Sequence, residues 1–139
     1  MGYWERLIDV YESWDYDSLV EEAYDLSCAV RDDIARRFSV NDPLNAAFMV
    51  AAYFIDADGF ADGAEVSIIR DLWEDQPIER GGDFLLRAYR SYDWQPWVES
   101  YLRSCRGDAL EAALRFGMVI CASDGFIRDE ERRRILKWT

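Results

Sequence analysis

Histidine is absent from the chain. Its absence excludes serine–histidine and cysteine–histidine hydrolase mechanisms, and every zinc site that uses an imidazole. Cysteine is nearly as scarce. Cys28, Cys105 and Cys121 are far apart, form no C-x-x-C pair and sit in apolar helical stretches. They read as buried, reduced thiols in a cytoplasmic protein, not as a disulfide framework. Long hydrophobic runs are missing too: the longest, Ala46 to Ile55, has ten residues, about half of a bilayer span. The start, Met1-Gly2-Tyr3-Trp4-Glu5-Arg6, has no signal-peptide pattern. Positive charge is in short supply, with 16 basic residues against 28 acidic ones and a net charge of −12. Binding nucleic acid through its phosphates needs a basic face, so that class is excluded. An acidic domain that attracts cations or a basic partner remains.

A substantial apolar complement is present. Half of the 139 residues are hydrophobic and 15% are aromatic, so acidity does not make this a disordered tail. The length suits one domain over 1–139 that buries a core without staples. Leu19, Ala23, Leu26, Val30, Ile34 and Phe38 recur three and four apart with Glu21, Glu22, Asp25, Asp32 and Asp33 between them, the stripe of an amphipathic helix. Similar periodicity predicts helices over approximately 3–13, 18–38, 43–56, 63–74, 83–92, 96–105, 109–122 and 129–138, and no sheet. The expected fold class is all-α, a compact bundle of about seven to eight helices. Ser18 with Glu21, and Asp108 with Glu111, have capping-box spacing, while Asp42-Pro43 supplies a cap followed by a proline that loses nothing at a first helical position. Pro77 and Gly81-Gly82 mark Glu74 to Asp83 as the least regular connection.

An internal repeat carries the main signal. A shift of 66 residues aligns 46–73 with 112–139 and gives 7 identities in 28 pairs. Asp58-Gly59-Phe60 falls on Asp124-Gly125-Phe126, Glu65 on Glu131, and Ile69 on Ile135. Each copy reads as apolar helix, Asp-Gly-Phe turn, Glu, and a second helix. This suggests two pseudo-two-fold-related units, about 43–74 and 109–139, linked by helices over 83–105. The glycine can take the left-handed conformation past a helix end, and the phenylalanine can fold back on the preceding helix. Asp62 can cap the second helix of copy one; in copy two Arg128 stands there and cannot accept a hydrogen bond, so that start is weaker or shifted to Asp129.

The repeat also gathers carboxylates: Asp56, Asp58, Asp62 and Glu65 in one copy, and Asp124, Asp129 and Glu131 in the other. If the two turns face each other, these are ligands for a hard cation, Ca²⁺ or Mg²⁺. The spacing is not that of an EF-hand loop. Turn chemistry and favourable acids at helix starts account for the same residues without an ion.

At these positions the chain resembles the tellurite-resistance TerB-like family, whose members carry a hydrophobic helix, an Ala/Ser-Asp-Gly turn and a Glu seven residues after the Asp. Ala57-Asp58-Gly59 with Glu65, and Ser123-Asp124-Gly125 with Glu131, both satisfy this. The resemblance covers two blocks of about 50 residues in all and departs at Arg128. It implies an all-α domain, clustered acids near the turns as a divalent-cation site, a setting in bacterial stress response, and no enzymatic activity.

The last twelve residues hold Arg128, Arg132, Arg133, Arg134 and Lys137, leaving the other 127 residues at −14. This strip is either a solvated face paired with neighbouring acids or a contact for an acidic partner or an anionic lipid surface, a peripheral membrane association. Trp94 and Trp97, with Tyr89, Tyr92 and Tyr101, are either corner packing or an aromatic docking surface for a protein partner. Two functions fit: a non-catalytic TerB-like binding module, or a small acidic inhibitor or immunity protein that covers a basic toxin or nuclease.

Overall fold

The computed structural model describes residues 2–59, 63–72 and 81–139, and leaves the side chains of Asp58, Arg70, 63–66 and 81–85 undescribed. Among the described residues the chain forms eight α-helices and no strand: α1 Tyr3–Glu12, α2 Tyr16–Arg37, α3 Pro43–Ile55, α4 Gly63–Leu72, α5 Gly81–Ser91, α6 Gln95–Ser104, α7 Asp108–Cys121 and α8 Asp129–Leu136. Single 3₁₀ turns, Asp56–Asp58 and Ala122–Asp124, follow α3 and α7.

Side-chain caps set the starts of two helices. Asp42 accepts from the Asn45 N–H at 3.0 Å, and Pro43 occupies the first helical position of α3. The start of α2 differs from the Ser18 expectation. Asp15 is the cap, accepting from the Ser18 N–H at 2.8 Å. A carboxylate one turn earlier thus satisfies the donor, and Ser18 lies inside the helix. The expected Asp108–Glu111 box is also absent. Gly107 precedes α7 with φ 58°, Asp108 is already helical, and Glu111 instead accepts from the Tyr3 hydroxyl at 2.6 Å. Gly81 and Gly82 are helical, in the first turn of α5, and not in a loop.

Every side chain from Ala46 to Ile55 is buried. A helix apolar on all sides must be enclosed on all sides. Accordingly α3 touches α2, α5, α6, α7 and α8. Its approach to α7 is close because residue 117 is glycine: a Cβ there would run into the ring of Phe54, itself fully buried. The turn after α3 packs on α8, and the turn after α7 packs on α4. At the edge, the Arg115 Nε–H donates to the Tyr11 hydroxyl at 2.7 Å and its guanidinium lies 3.3 Å from Glu22, tying α1 to α2 and α7.

One carboxylate is nearly enclosed. Asp33 is 7% exposed. Arg37 grips both its oxygens (Nε to Oδ1 3.0 Å, Nη2 to Oδ2 2.8 Å), Arg36 reaches Oδ1 at 2.7 Å, and the Tyr101 hydroxyl donates to Oδ2 at 2.8 Å. This cluster pins α6 to α2, with Trp97 stacked on Tyr101 at 5.6 Å. Burial works to raise the Asp33 pKa, but the donors from Arg37, Tyr101 and Arg36 outweigh it and hold the carboxyl below its ordinary value. Burial pushes the adjacent Cys105 thiol up, so it stays protonated.

Gly117→Ala overpacks the α3–α7 contact and lowers stability by about 1–3 kcal/mol in urea titration. Because the Asp33 pKa is lowered in the folded state, its contribution is present above the unfolded carboxyl value and lost as pH falls through the folded one. Asp33→Asn therefore costs about 1.5–3 kcal/mol at neutral pH, and the difference from wild type shrinks on acidification.

Candidate functional site

The two Asp-Gly turns fold alike. Gly59 and Gly125 both have φ 89°, a left-handed conformation that glycine takes without a Cβ penalty. Each closes its turn through its own N–H, to the Asp56 carbonyl at 3.0 Å and the Ala122 carbonyl at 2.8 Å. Their described carboxylates are engaged locally. Asp56 binds Arg90 of α5 at 2.6 Å, and Arg90 also donates to the Gly59 carbonyl. Asp124 accepts from the Phe126 N–H at 3.1 Å and lies 3.8 Å from Arg128. Glu131, 1% exposed, accepts from the Arg128 N–H at 3.0 Å.

The α8 start therefore keeps the glutamate half of a capping box. Its other half is missing, because a guanidinium has no acceptor. Arg128 occupies the cap position and the helix begins at Asp129, whose side chain is exposed. Phe126 does not fold back: it is 55% exposed, and Ile127 is buried instead. Asp62 and the side chains of Asp58 and Glu65 lie outside the described residues. Among the described residues no three carboxylates or thiols come together as ligands for an ion. Asp56, Asp124 and Glu131 thus do not fit a divalent-cation site by themselves.

The basic strip is largely engaged within the molecule. Arg132 reaches Glu12 at 3.1 Å and Asp9 at 3.4 Å, fastening α8 to α1. Arg133, mostly exposed, lies 3.7 Å from Glu130. Trp94 and Trp97 are half-buried and meet edge to face at 5.4 Å. Trp97 also contacts Phe38 and Tyr101. Their rings serve the α2–α6 corner, while the exposed aromatic of that stretch is Tyr92, at 78%.

A second acidic surface is the outer face of α2, which the repeat-centred reading passes over. Asp17, Glu21 and Asp25 are exposed there, and among the described residues none has a basic partner within 4.0 Å. Two grooves flank them. One, of about 540 Å³, runs past Trp14, Asp15, Glu21 and Asp25. The other, of about 490 Å³, runs past Val20, Glu21, Tyr24, Asp71 and Leu72. Tyr16 fixes the second groove by donating to Asp71 at 2.6 Å. The signal for this face was present in the sequence: acids at 17, 21 and 25 recur every four residues, opposite the Leu19–Ala23–Leu26 stripe.

Among the described residues no helix is long and apolar enough to cross a membrane. No family model, curated protein or solved structure matches the chain.

Proposed function

We propose that this chain is a non-catalytic, TerB-like interaction module that docks a basic protein partner on the outer face of α2. The observation that carries the reading is the row Asp17–Glu21–Asp25, exposed and without basic partners among the described residues, between grooves that present Trp14 and Tyr24. Acids without internal cations attract an arginine- or lysine-rich surface at long range, and flanking aromatics give stacking and cation–π contacts on arrival. The TerB-like assignment is supported by the two Ala/Ser-Asp-Gly motifs and by their shared turn conformation. In this reading Asp56, Asp124 and Glu131 hold the turns, and no cation is required. The partner can be a component of a stress-response assembly. A toxin or nuclease face is the partner under the inhibitor alternative, which draws on the same row of acids.

An arginine-rich peptide is a sufficient probe. The Asp17→Asn/Glu21→Gln/Asp25→Asn variant should bind it at least about tenfold more weakly. Neutralising Asp93 and Asp129, which lie elsewhere on the surface, should change affinity by less than about twofold. Equal losses in both variants would reduce the effect to net charge and overturn the proposed face. Calcium or magnesium at about 5 mM should leave the melting temperature unchanged. A rise that Asp58→Asn abolishes would instead assign the first turn to a cation.

A further inference from the structure

A cleft between the end of α3, the start of α6 and the outer side of α8 differs in character from the rest of the molecule. It has a volume of about 370 Å³ and is lined by Arg133, Arg134, Lys137, Gln95, Glu99 and Glu130 around Tyr53. That volume lies within the roughly 300–1,000 Å³ of small-molecule clefts. In a chain of net charge −12 the lining carries more cations than acids.

Arg134 is the fixed element of this cleft. Its Nη1–H donates to the Tyr53 carbonyl at 2.7 Å, covering an acceptor near the C-terminal end of α3, and its guanidinium lies 4.7 Å from the centroid of the Tyr53 ring. Among the described residues no carboxylate lies within 4.0 Å of it. A half-buried arginine, held by a backbone carbonyl and an aromatic face and left without an acid in a chain with 28 of them, is preorganised for an anion. The neighbouring cations are loosely held. Lys137 sits 3.4 Å from Glu99, and Arg133 sits 3.7 Å from Glu130. Both have long exposed side chains that can turn to a stronger acceptor.

The Tyr89 hydroxyl of α5 is a second buried polar group that feels the charge of Arg134. Tyr89 is 2% exposed, and its hydroxyl finds no hydrogen-bond partner among the described residues. Burial pushes it well above its ordinary pKa, and Arg134 is the foremost opposing charge. It is therefore a neutral donor, and a buried donor without an acceptor is costly.

We infer that this cleft binds the phosphate group of a small phosphorylated molecule, held by Arg134 with Arg133 and Lys137 closing over it and Glu99 limiting its affinity. A phosphate suits three converging cations better than a single carboxylate does, because it brings close to two negative charges and accepts from several donors at once. Glu99 has an additional place in the site. It accepts from the Tyr53 hydroxyl at 3.3 Å while holding Lys137, so it competes with the ligand for the same cation.

The test is a titration of the full chain with inorganic phosphate, glycerol phosphate and acetate, each at constant ionic strength made up with sodium chloride. The readout is the Trp138 indole N–H resonance, since this group donates to the Tyr53 hydroxyl at 3.2 Å and Lys137 sits over its ring. Both phosphates should give saturable shifts. The ester should bind more tightly if the remaining cleft volume holds its organic part, and equally if free phosphate is the ligand. Arg133→Gln/Lys137→Gln should weaken binding about tenfold or more. Glu99→Gln keeps the acceptor for Tyr53 and should tighten binding about three- to tenfold. A shift no larger than that of chloride, tighter binding of acetate than of phosphate, or no gain from Glu99→Gln would each overturn the assignment.

Discussion

The burial of α3 governs the architecture. Ten consecutive residues, Ala46 to Ile55, have no exposed side, so this helix cannot lie on a surface as an amphipathic helix does. The remaining helices are arranged by the need to surround it. α2 and α7 cover it along its length, and α5, α6 and α8 close the other directions. Glycine at 117 lets α7 come near enough for the Phe54 ring to fill the gap. At its C-terminal end α3 depends on a cation from another helix, since Arg134 covers the Tyr53 carbonyl.

Enclosing one apolar helix with polar-faced ones also sorts the charges. Some acids become structural staples: Asp33 with Arg37 and Tyr101, Asp56 with Arg90, Glu12 with Arg132, and Glu22 with Arg115. Each links helices distant in sequence or holds a turn, and each uses one of the few cations. The acids of the outer α2 face are left over once these pairings are made. The cleft beside α8 is the converse, a place where cations outnumber acids.

Much of the fold was legible in the sequence because helical periodicity is a local property. All eight helices begin within two residues of their expected starts, and the Asp42-Pro43 start has the expected geometry. The identical φ of Gly59 and Gly125 matches the aligned Asp-Gly pairs. The errors arise where two residues compete for one role. Asp15 displaces Ser18 as cap, and Glu111 takes the Tyr3 hydroxyl instead of a backbone donor. Ile127, not Phe126, supplies the apolar contact after the second turn. The candidate site was less legible. Carboxylates clustered in sequence suggested an ion; Asp56 instead pairs with Arg90 through a tertiary contact that spacing does not encode, while Asp124 lies 3.8 Å from Arg128, four residues on. The cleft combines residues of α3, α6 and α8, so no linear motif announces it.

A cationic partner must choose among acids that differ in whether they are already paired. Amide chemical-shift mapping of the uniformly labelled chain with an arginine-rich peptide reads that choice directly. The account predicts perturbations concentrated on 14–25 and 71–72, at α2 and its flanking grooves. Shifts spread evenly over the exposed acids, or centred on the Asp-Gly turns, would contradict it.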